Sequence, residues 1–200
     1  MIDFIDAAAV TRFHREALAA PVAARAALPA SALWKGIADN HRCNTQLWQE
    51  EDLARRVNVD DAAIATNKRA IDRFNQLRND AVERIDDLLL KDMPPPPVNG
   101  WLNSESAGSI IDRLSILSLK IHHMARAAAN AAAPGYLRRS CELKLRQLEL
   151  QRVDLQRCLD RLLSGLRHGR CYFKVYRQYK MYNDPALNPY LRRSGPAQLH

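Results

Sequence analysis

Arg78 lies where a helix should be apolar, and this is the first place in the chain to look for chemistry. On a wheel of roughly 100° per residue, Ile71, Phe74, Ala81, Ile85 and Leu88 share one face, and Arg78 falls among them. Asp72, Asn75 and Asn79 run along the border of that face. A guanidinium held against a core is costly unless it is paired and hydrogen-bonded. Such a stripe marks either a polar binding site or a structural ion-pair network. As a site, it offers hydrogen bonds to a sugar or nucleotide, or carboxylates to a divalent metal. Glu83 and Asp86, further along, read as a solvated flank.

A second stripe turns polar halfway along. It starts with Leu33 and Ile37 and continues through Asn44, Leu47, Trp48, Glu51 and Arg55. In a pocket, Trp48 would supply a flat wall while Asn44, Glu51 and Arg55 supply donors and acceptors. The competing reading is an interhelical network in which Glu51 pairs with Arg78 or Arg113.

The run from Asn103 to Ser109 opens an apolar helix. Free N–H groups at a helix start attract anions, so Gly108 and Ser109 could admit a phosphate; ordinary capping by Ser104 or Ser106 is the alternative. No Lys follows the Gly as a P-loop requires. Arg113 and Lys120 lie along one edge of the helix beyond, with Asp112 beside them. His122-His123 cannot chelate one metal, because adjacent rings on a helix point about 100° apart. They are read as packing and helix-end groups, and no metal ligand set is assigned. His14, His41 and His168 show no partner pattern. From Arg170 to Tyr182, a helical reading puts Tyr172, Tyr176 and Tyr179 on one stripe and Arg170, Lys174 and Arg177 on another, with Lys180 beyond. Rings interleaved with cations suit a phosphate beside a flat base or sugar, or an anionic membrane surface. No nucleic-acid-binding motif accompanies them.

These stripes need long helices, and strand signals are almost absent. The pattern predicts helices over about 3–19, from a Ser31 cap to about 57, from an Asp60 cap to about 91, from Ser106–Ser109 to about 129, and over about 136–168. A short Ala-rich piece fills the gap before Pro29. Pro94 to Pro97 force an extended connector. The fourth helix, apolar nearly all round, is expected to be central. The fifth has a leucine seam from Leu145 to Leu166 broken only by Arg152, and Gly169 is expected to interrupt it. The predicted fold is all-α: a bundle of about five long helices over residues 1–169, with a basic, Tyr-rich helical extension over 170–200.

Charge is unevenly spread. Residues 1–133 carry sixteen Lys/Arg against seventeen Asp/Glu, while residues 134–200 carry fourteen against five. That concentrates the net +8 in the last third and suggests one anion-attracting surface. The acidic start lacks the cations of a signal peptide, and no apolar run approaches the ~18 residues of a membrane span. Cys43, Cys141, Cys158 and Cys171 are too far apart in sequence for a zinc ribbon or redox pair. A cytoplasmic protein with free thiols is expected.

Taken together, these segments resemble a known family. Asn44, Leu47-Trp48 and Glu51 to Arg55, the run Lys68 to Asp80, Asn103 to Glu105 with Gly108 to Ile121, and Tyr176 to Pro185 are similar to a bacterial all-helical domain family of unknown function. Genes of that family often sit among those for lipopolysaccharide and other surface glycans. Ser106-Ala107 stands where the family is expected to carry Thr-Pro. The resemblance implies a fold and a process, with no catalytic residues. The expectation is a protein of surface-polysaccharide assembly that holds a phosphorylated sugar, nucleotide-sugar or glycan-lipid phosphate. Arg78, Arg113 and Lys120 would meet phosphate, with Lys174 and Arg177 closing over it. Asn44, Asp72, Asn75 and Asn79 would read hydroxyls, and Trp48 would stack. Two alternatives stand beside it. One is a phosphohydrolase or sugar-phosphate transferase using Mg²⁺ on Glu50-Glu51-Asp52 and Glu83–Asp86. The other is a scaffold docking a glycosyltransferase or the inner membrane. The long amphipathic helices are also compatible with a homodimer.

Overall fold

The computed structural model describes residues 5–19, 31–91 and 93–191. Five helices carry the fold: α1 (Ala7–Ala19), α2 (Ala32–Leu53), α3 (Asp61–Lys91), α4 (Ala107–Ala128) and α5 (Gly135–Arg167). The all-α bundle expected from the sequence is what is found. Ser31 caps α2 by accepting from the Trp34 N–H, Asp60 accepts from the Ala63 N–H ahead of α3, and Ser106 accepts from the Ser109 N–H at the start of α4. Each satisfies a backbone donor that a helix start leaves open. The Ala-rich piece before Pro29 and the tail beyond Leu191 lie outside the described residues.

α2 and α3 form one hairpin and α4 and α5 another, and α4 touches all four other helices. Its nearly all-round apolarity is thereby used: Ile110, Ile111, Leu114 and Leu119 are fully buried. The core joins Ile110, Ile111 and Leu114 to Ile37, Ile85, Leu159 and Leu163, with Ile5 and Val10 from the α1 segment. α5 contributes most of its buried leucines from its C-terminal half. Its N-terminal half projects alongside α4 with Tyr136, Leu143 and Leu150 exposed.

The C-terminal extension is not the predicted helix. α5 stops at Arg167, and Gly169 turns the chain with φ +61°, a conformation that favours glycine. Cys171–Tyr172 then forms a two-residue strand, β2, parallel to β1 at Trp101–Leu102. Residues 173–180 continue without helix. The sequence carries the reason. Cys171, Phe173 and Val175 alternate with Tyr172, Lys174 and Tyr176, and the first set faces inward. Alternation at period two with β-branched and aromatic residues is a strand signal. Cys171 and Phe173 join the core cluster, with Val175 packed against it.

Candidate functional site

Asp112 on α4 is the hub of a buried polar network. Its Oδ1 accepts from Asn40 Nδ2 and Asn44 Nδ2, each at 2.8 Å, and its Oδ2 lies 4.0 Å from Arg78 Nε. Asn40 and Asn44 sit one turn apart on the buried side of α2, in the stripe that also holds Leu33, Ile37 and Leu47. A core stripe that places two amides against a neighbouring helix must supply them with acceptors. Asn44 also donates to Ser115 Oγ at 3.0 Å. Its two amide protons are thus committed. The Ser115 hydroxyl is left to donate to His41 Nδ1, 2.8 Å away. The His41 ring stacks on His14 from α1 at 4.6 Å between centroids. His14 is fully buried, and neither ring nitrogen has a hydrogen-bond partner among the described residues. Burial, and then the His41 charge, hold its pKa well below the ordinary imidazole value.

Above this network opens a cleft of about 340 Å³ between α2, α3 and α4. It is walled by Asn44, Leu47, Trp48, Glu51, Asp52, Arg55, Asn75, Arg78, Ile116 and Leu119. Trp48 stacks face to face on His123 at 4.4 Å, with the rings 4° from parallel. The adjacent His122 meets His123 edge-on. Packing with His123 therefore fixes the Trp48 ring where it lines the cleft. Burial, and then the charge on His122, lower the His123 pKa. Arg55 is held by Glu51, pairing with its carboxylate at 2.8 Å and with its carbonyl. Arg78 differs. Its side chain is 27% exposed and its Nε is shielded from solvent without a hydrogen-bond partner among the described residues. The contact with Asn79 Oδ1 is long, at 3.4 Å. One guanidinium thus borders the cleft with hydrogen-bonding capacity unused.

The predicted site does not come together as one pocket. Asn44, Trp48, Glu51, Arg55, Asn75 and Arg78 line the cleft, and Asp112 lies beneath it. Asn79, Ser109 and Lys174 line a separate cavity of about 140 Å³ at the start of α4. Asp72 is exposed and faces Lys68 at 3.6 Å. Arg113 is exposed and donates to both oxygens of Glu105 at 2.8 and 2.9 Å. Lys120 is exposed on α4, and Lys180 lines neither cavity. Arg177 does not close over the cleft. It pairs with Glu83 at 2.9 Å and Asp87 at 2.8 Å on α3, strapping residues 173–180 onto that helix. The expected pairing of Glu51 with Arg78 or Arg113 is absent among these contacts, because Arg55 and Glu105 lie closer to the two groups.

Asp86 corrects the reading of its stretch as a solvated flank. It is buried, and its Oδ1 accepts from the Gly108 N–H at 2.6 Å. The anion expected at the start of α4 is this carboxylate, supplied from α3. A Cβ on Gly108 would stand 2.6 Å from the Val82 carbonyl and 2.8 Å from Asp86 Oδ1, so glycine is needed for the two helices to approach. Burial raises the Asp86 pKa to about 6, against hydrogen bonds from Ser106 and Gly108 that favour the ionised form. Glu83 behaves oppositely. Burial alone would raise its carboxyl, but hydrogen bonds from Arg177 and the Gln178 N–H hold it below its ordinary value.

A model for a family described as "Protein of unknown function (DUF4254)" matches residues 34–175. The chain belongs to that family. No curated protein and no solved structure matches it. The DUF4254 span contains every residue that lines the cleft, together with Asp86 and the α4 start. His14 and the strap residues Arg177 and Gln178 lie outside it.

Sequence reasoning missed Asn40, His41 and Ser115. Asn40 had a legible signal, since it occupies the same stripe as Ile37 and Asn44. Ser115 is legible as one of the few polar residues of an otherwise apolar helix and is indeed buried, but its partners, like those of the two histidines, are not, because the pairing depends on how α1, α2 and α4 meet. Among the described residues no three His, Cys, Asp or Glu groups converge to hold a metal ion. The acids proposed for Mg²⁺ are dispersed: Glu50 accepts from Asn67, Glu51 pairs with Arg55, Glu83 with Arg177, and Asp86 caps α4. The four cysteines are free thiols, and no described helix is long and apolar enough to cross a membrane.

Proposed function

We propose that the cleft between α2, α3 and α4 binds a small phosphorylated sugar, either a sugar phosphate or a nucleotide sugar. The observation that carries this reading is Arg78, a partly buried guanidinium that lines the cleft and whose contacts among the described residues, to Asn79 and Asp112, are long. Guanidinium groups bind phosphate oxygens through paired N–H donors. Asp112, at 4.0 Å, balances its charge without using its donors at bonding distance. Around it the cleft mixes donors with acceptors, from Asn44, Asn75, Glu51 and Asp52, as a ring of hydroxyls requires. Trp48 offers an apolar wall for a sugar face or a base. The charges lining the cleft nearly cancel, which favours a ligand with one or two phosphates over a polyanion. The resemblance drawn from the sequence links such proteins with surface-glycan genes, so cytoplasmic intermediates of lipopolysaccharide or related glycan assembly are the ligands to try first. Glycan-lipid phosphates present the same chemistry.

The test is a thermal-shift screen of the full chain with sugar phosphates, nucleotide sugars, free nucleotides and neutral sugars, each with and without Mg²⁺. A ligand that binds only the native state must raise its apparent stability. A shift with phosphorylated sugars that is absent in Arg78→Ala is expected. The variant itself should lose less than about 1 kcal/mol of stability, since the ion pair is long and partly exposed. No shift with any phosphorylated sugar, or unchanged affinity in a folded Arg78→Ala protein, would overturn the assignment.

A further inference from the structure

We propose that Arg12, Arg15 and Arg152 form a second anion site, between α1 and α5, that takes a small polyphosphate. α1 runs antiparallel to α5 and is tied to it by two polar contacts. The Ala7 N–H donates to Asp160 Oδ1 at 2.9 Å, and Gln156 Nε2 donates to Thr11 Oγ1 at 2.7 Å. From the first contact to the second, the chain advances about one turn along each helix, in opposite directions. The next turn along the same edge brings Arg15 to Arg152. Where a third polar tie would fall, two cations meet. A cavity of about 270 Å³ opens there, lined by Arg12, Arg15 and Arg152 together with Thr11, Val153 and Gln156.

Charge selects the occupant. Arg152 is the residue that breaks the leucine seam of α5; it is half-buried, while Arg12 and Arg15 are exposed. No acid lines the cavity, and among the described residues none of the three guanidiniums makes a hydrogen bond or ion pair. Glu16 and Glu149 lie one turn from Arg12 and Arg152, where helix pairs commonly form, yet neither pairs with them. Like charges brought together across two helices repel, and a leucine at position 152 would complete the seam without that cost. An anion held between the helices accounts for the arginine. Guanidinium forks bind phosphate oxygens through paired donors. A single phosphate group carries roughly −1.5 to −2 at neutral pH, which leaves three guanidiniums under-neutralised, whereas two linked phosphates match them. The cavity is smaller than the ~300 Å³ at which sites for organic ligands begin, so it fits a diphosphate or triphosphate group and little else. In the cleft at Arg78 the acids Glu51 and Asp52 offset the arginines; here nothing does. The two sites share no residue, so they stand or fall independently.

Isothermal titration calorimetry of the full chain with sodium pyrophosphate and with orthophosphate, in buffer free of Mg²⁺, tests the proposal. Pyrophosphate is expected to form a stoichiometric complex, tighter than that of orthophosphate and weakened by added salt. Arg15→Gln with Arg152→Gln should weaken it at least about tenfold, through lost charge-assisted hydrogen bonds. Arg12→Gln changes an exposed side chain that the fold does not need, and it should weaken the complex too. Arg78→Ala should retain it. No complex with the parent, a complex that the Arg12 and Arg15/Arg152 variants keep in full, or one lost in Arg78→Ala instead would overturn the assignment. Co-sedimentation with vesicles of phosphatidylcholine and phosphatidylglycerol separates a free polyphosphate from a lipid headgroup. Vesicle binding that needs these arginines, in a protein that ignores soluble pyrophosphate, would overturn the small-anion site in favour of a membrane contact.

Discussion

Replacing Asp86 by Asn should make the protein more stable at neutral pH. The carboxyl is buried beneath the start of α4 and titrates near 6 in the folded state, against an ordinary value of 3.8. Between those two values the native state holds a proton that the unfolded chain has released. The stability linked to this group is therefore complete below about pH 3.8 and is lost as pH rises through 6. A displacement of about two pKa units corresponds to about 3 kcal/mol. Above pH 6 the native state carries that cost for keeping a desolvated charge at the helix start. Asparagine keeps an oxygen for the Gly108 N–H, now 2.6 Å from Asp86 Oδ1, and has no charge to desolvate.

Urea unfolding of the two proteins from pH 4 to 7.5 would read this directly. Other carboxylates titrate over the same range, and Glu83 works in the opposite sense, so the informative quantity is the difference between variant and parent. It should be small near pH 4, grow through pH 6, and level off at up to about 3 kcal/mol in favour of Asn. A variant less stable than the parent at pH 7.5 would refute the reasoning. It would mean that the charge on the α4 start, an attraction to the helix dipole of about 0.3–1 kcal/mol in ordinary cases, outweighs burial.

The remaining expectations concern the strap, the buried histidine and the helix contact. Arg177→Ala should release residues 173–180 from α3, seen as faster amide exchange there while α2–α5 exchange as before; raising the salt concentration on the parent should act in the same direction. Because the Arg177 contact holds the Glu83 carboxyl below its ordinary value, the strap should also loosen as pH falls through that depressed value. His14→Leu should flatten the acid side of the stability profile. The native state keeps His14 neutral, so it loses stability as pH falls below 6.5, and removing two unsatisfied nitrogens should add about 1–2 kcal/mol at neutral pH by denaturant unfolding. Gly108→Ala should cost about 1–3 kcal/mol in the same assay, since the added methyl group meets the Val82 carbonyl, which cannot rotate away.

The helices were legible because their signals are local. Ser31, Asp60 and Ser106 each accept within three residues, and Pro134 precedes α5. The central place of α4 is legible because that helix is apolar nearly all round. The extension fits a helical wheel as well as a strand, because its aromatic and cationic residues spaced at three and four also alternate at two; the structure follows the alternation of Cys171, Phe173 and Val175. Gly169 was a legible stop; the strand that follows depends on Trp101–Leu102, 70 residues earlier.

The candidate site divides along the same line. Arg78 and Asn44 were readable because each is a polar residue on a stripe that is otherwise core, a conflict visible within one helix. Asp86 and Arg177 were not, because each looks ordinary on its own element. An acidic residue near a helix end is normally a solvated one, and only the approach of α4 across Gly108 buries it. A tail arginine is normally free, and only the turn at Gly169 carries it to Glu83 and Asp87. What sequence periodicity can reveal is a side chain at odds with its own helix. It cannot reveal which anion satisfies a distant helix start, and here that distinction separates the open cleft at Arg78 from the α4 start, where the chain supplies its own carboxylate. A phosphate seeking the α4 start would have to displace Asp86, whereas at Arg78 it would compete, among the described residues, with long contacts to Asp112 and Asn79. That difference is why the proposed ligand is to be sought in the cleft and not in the cavity at the α4 start.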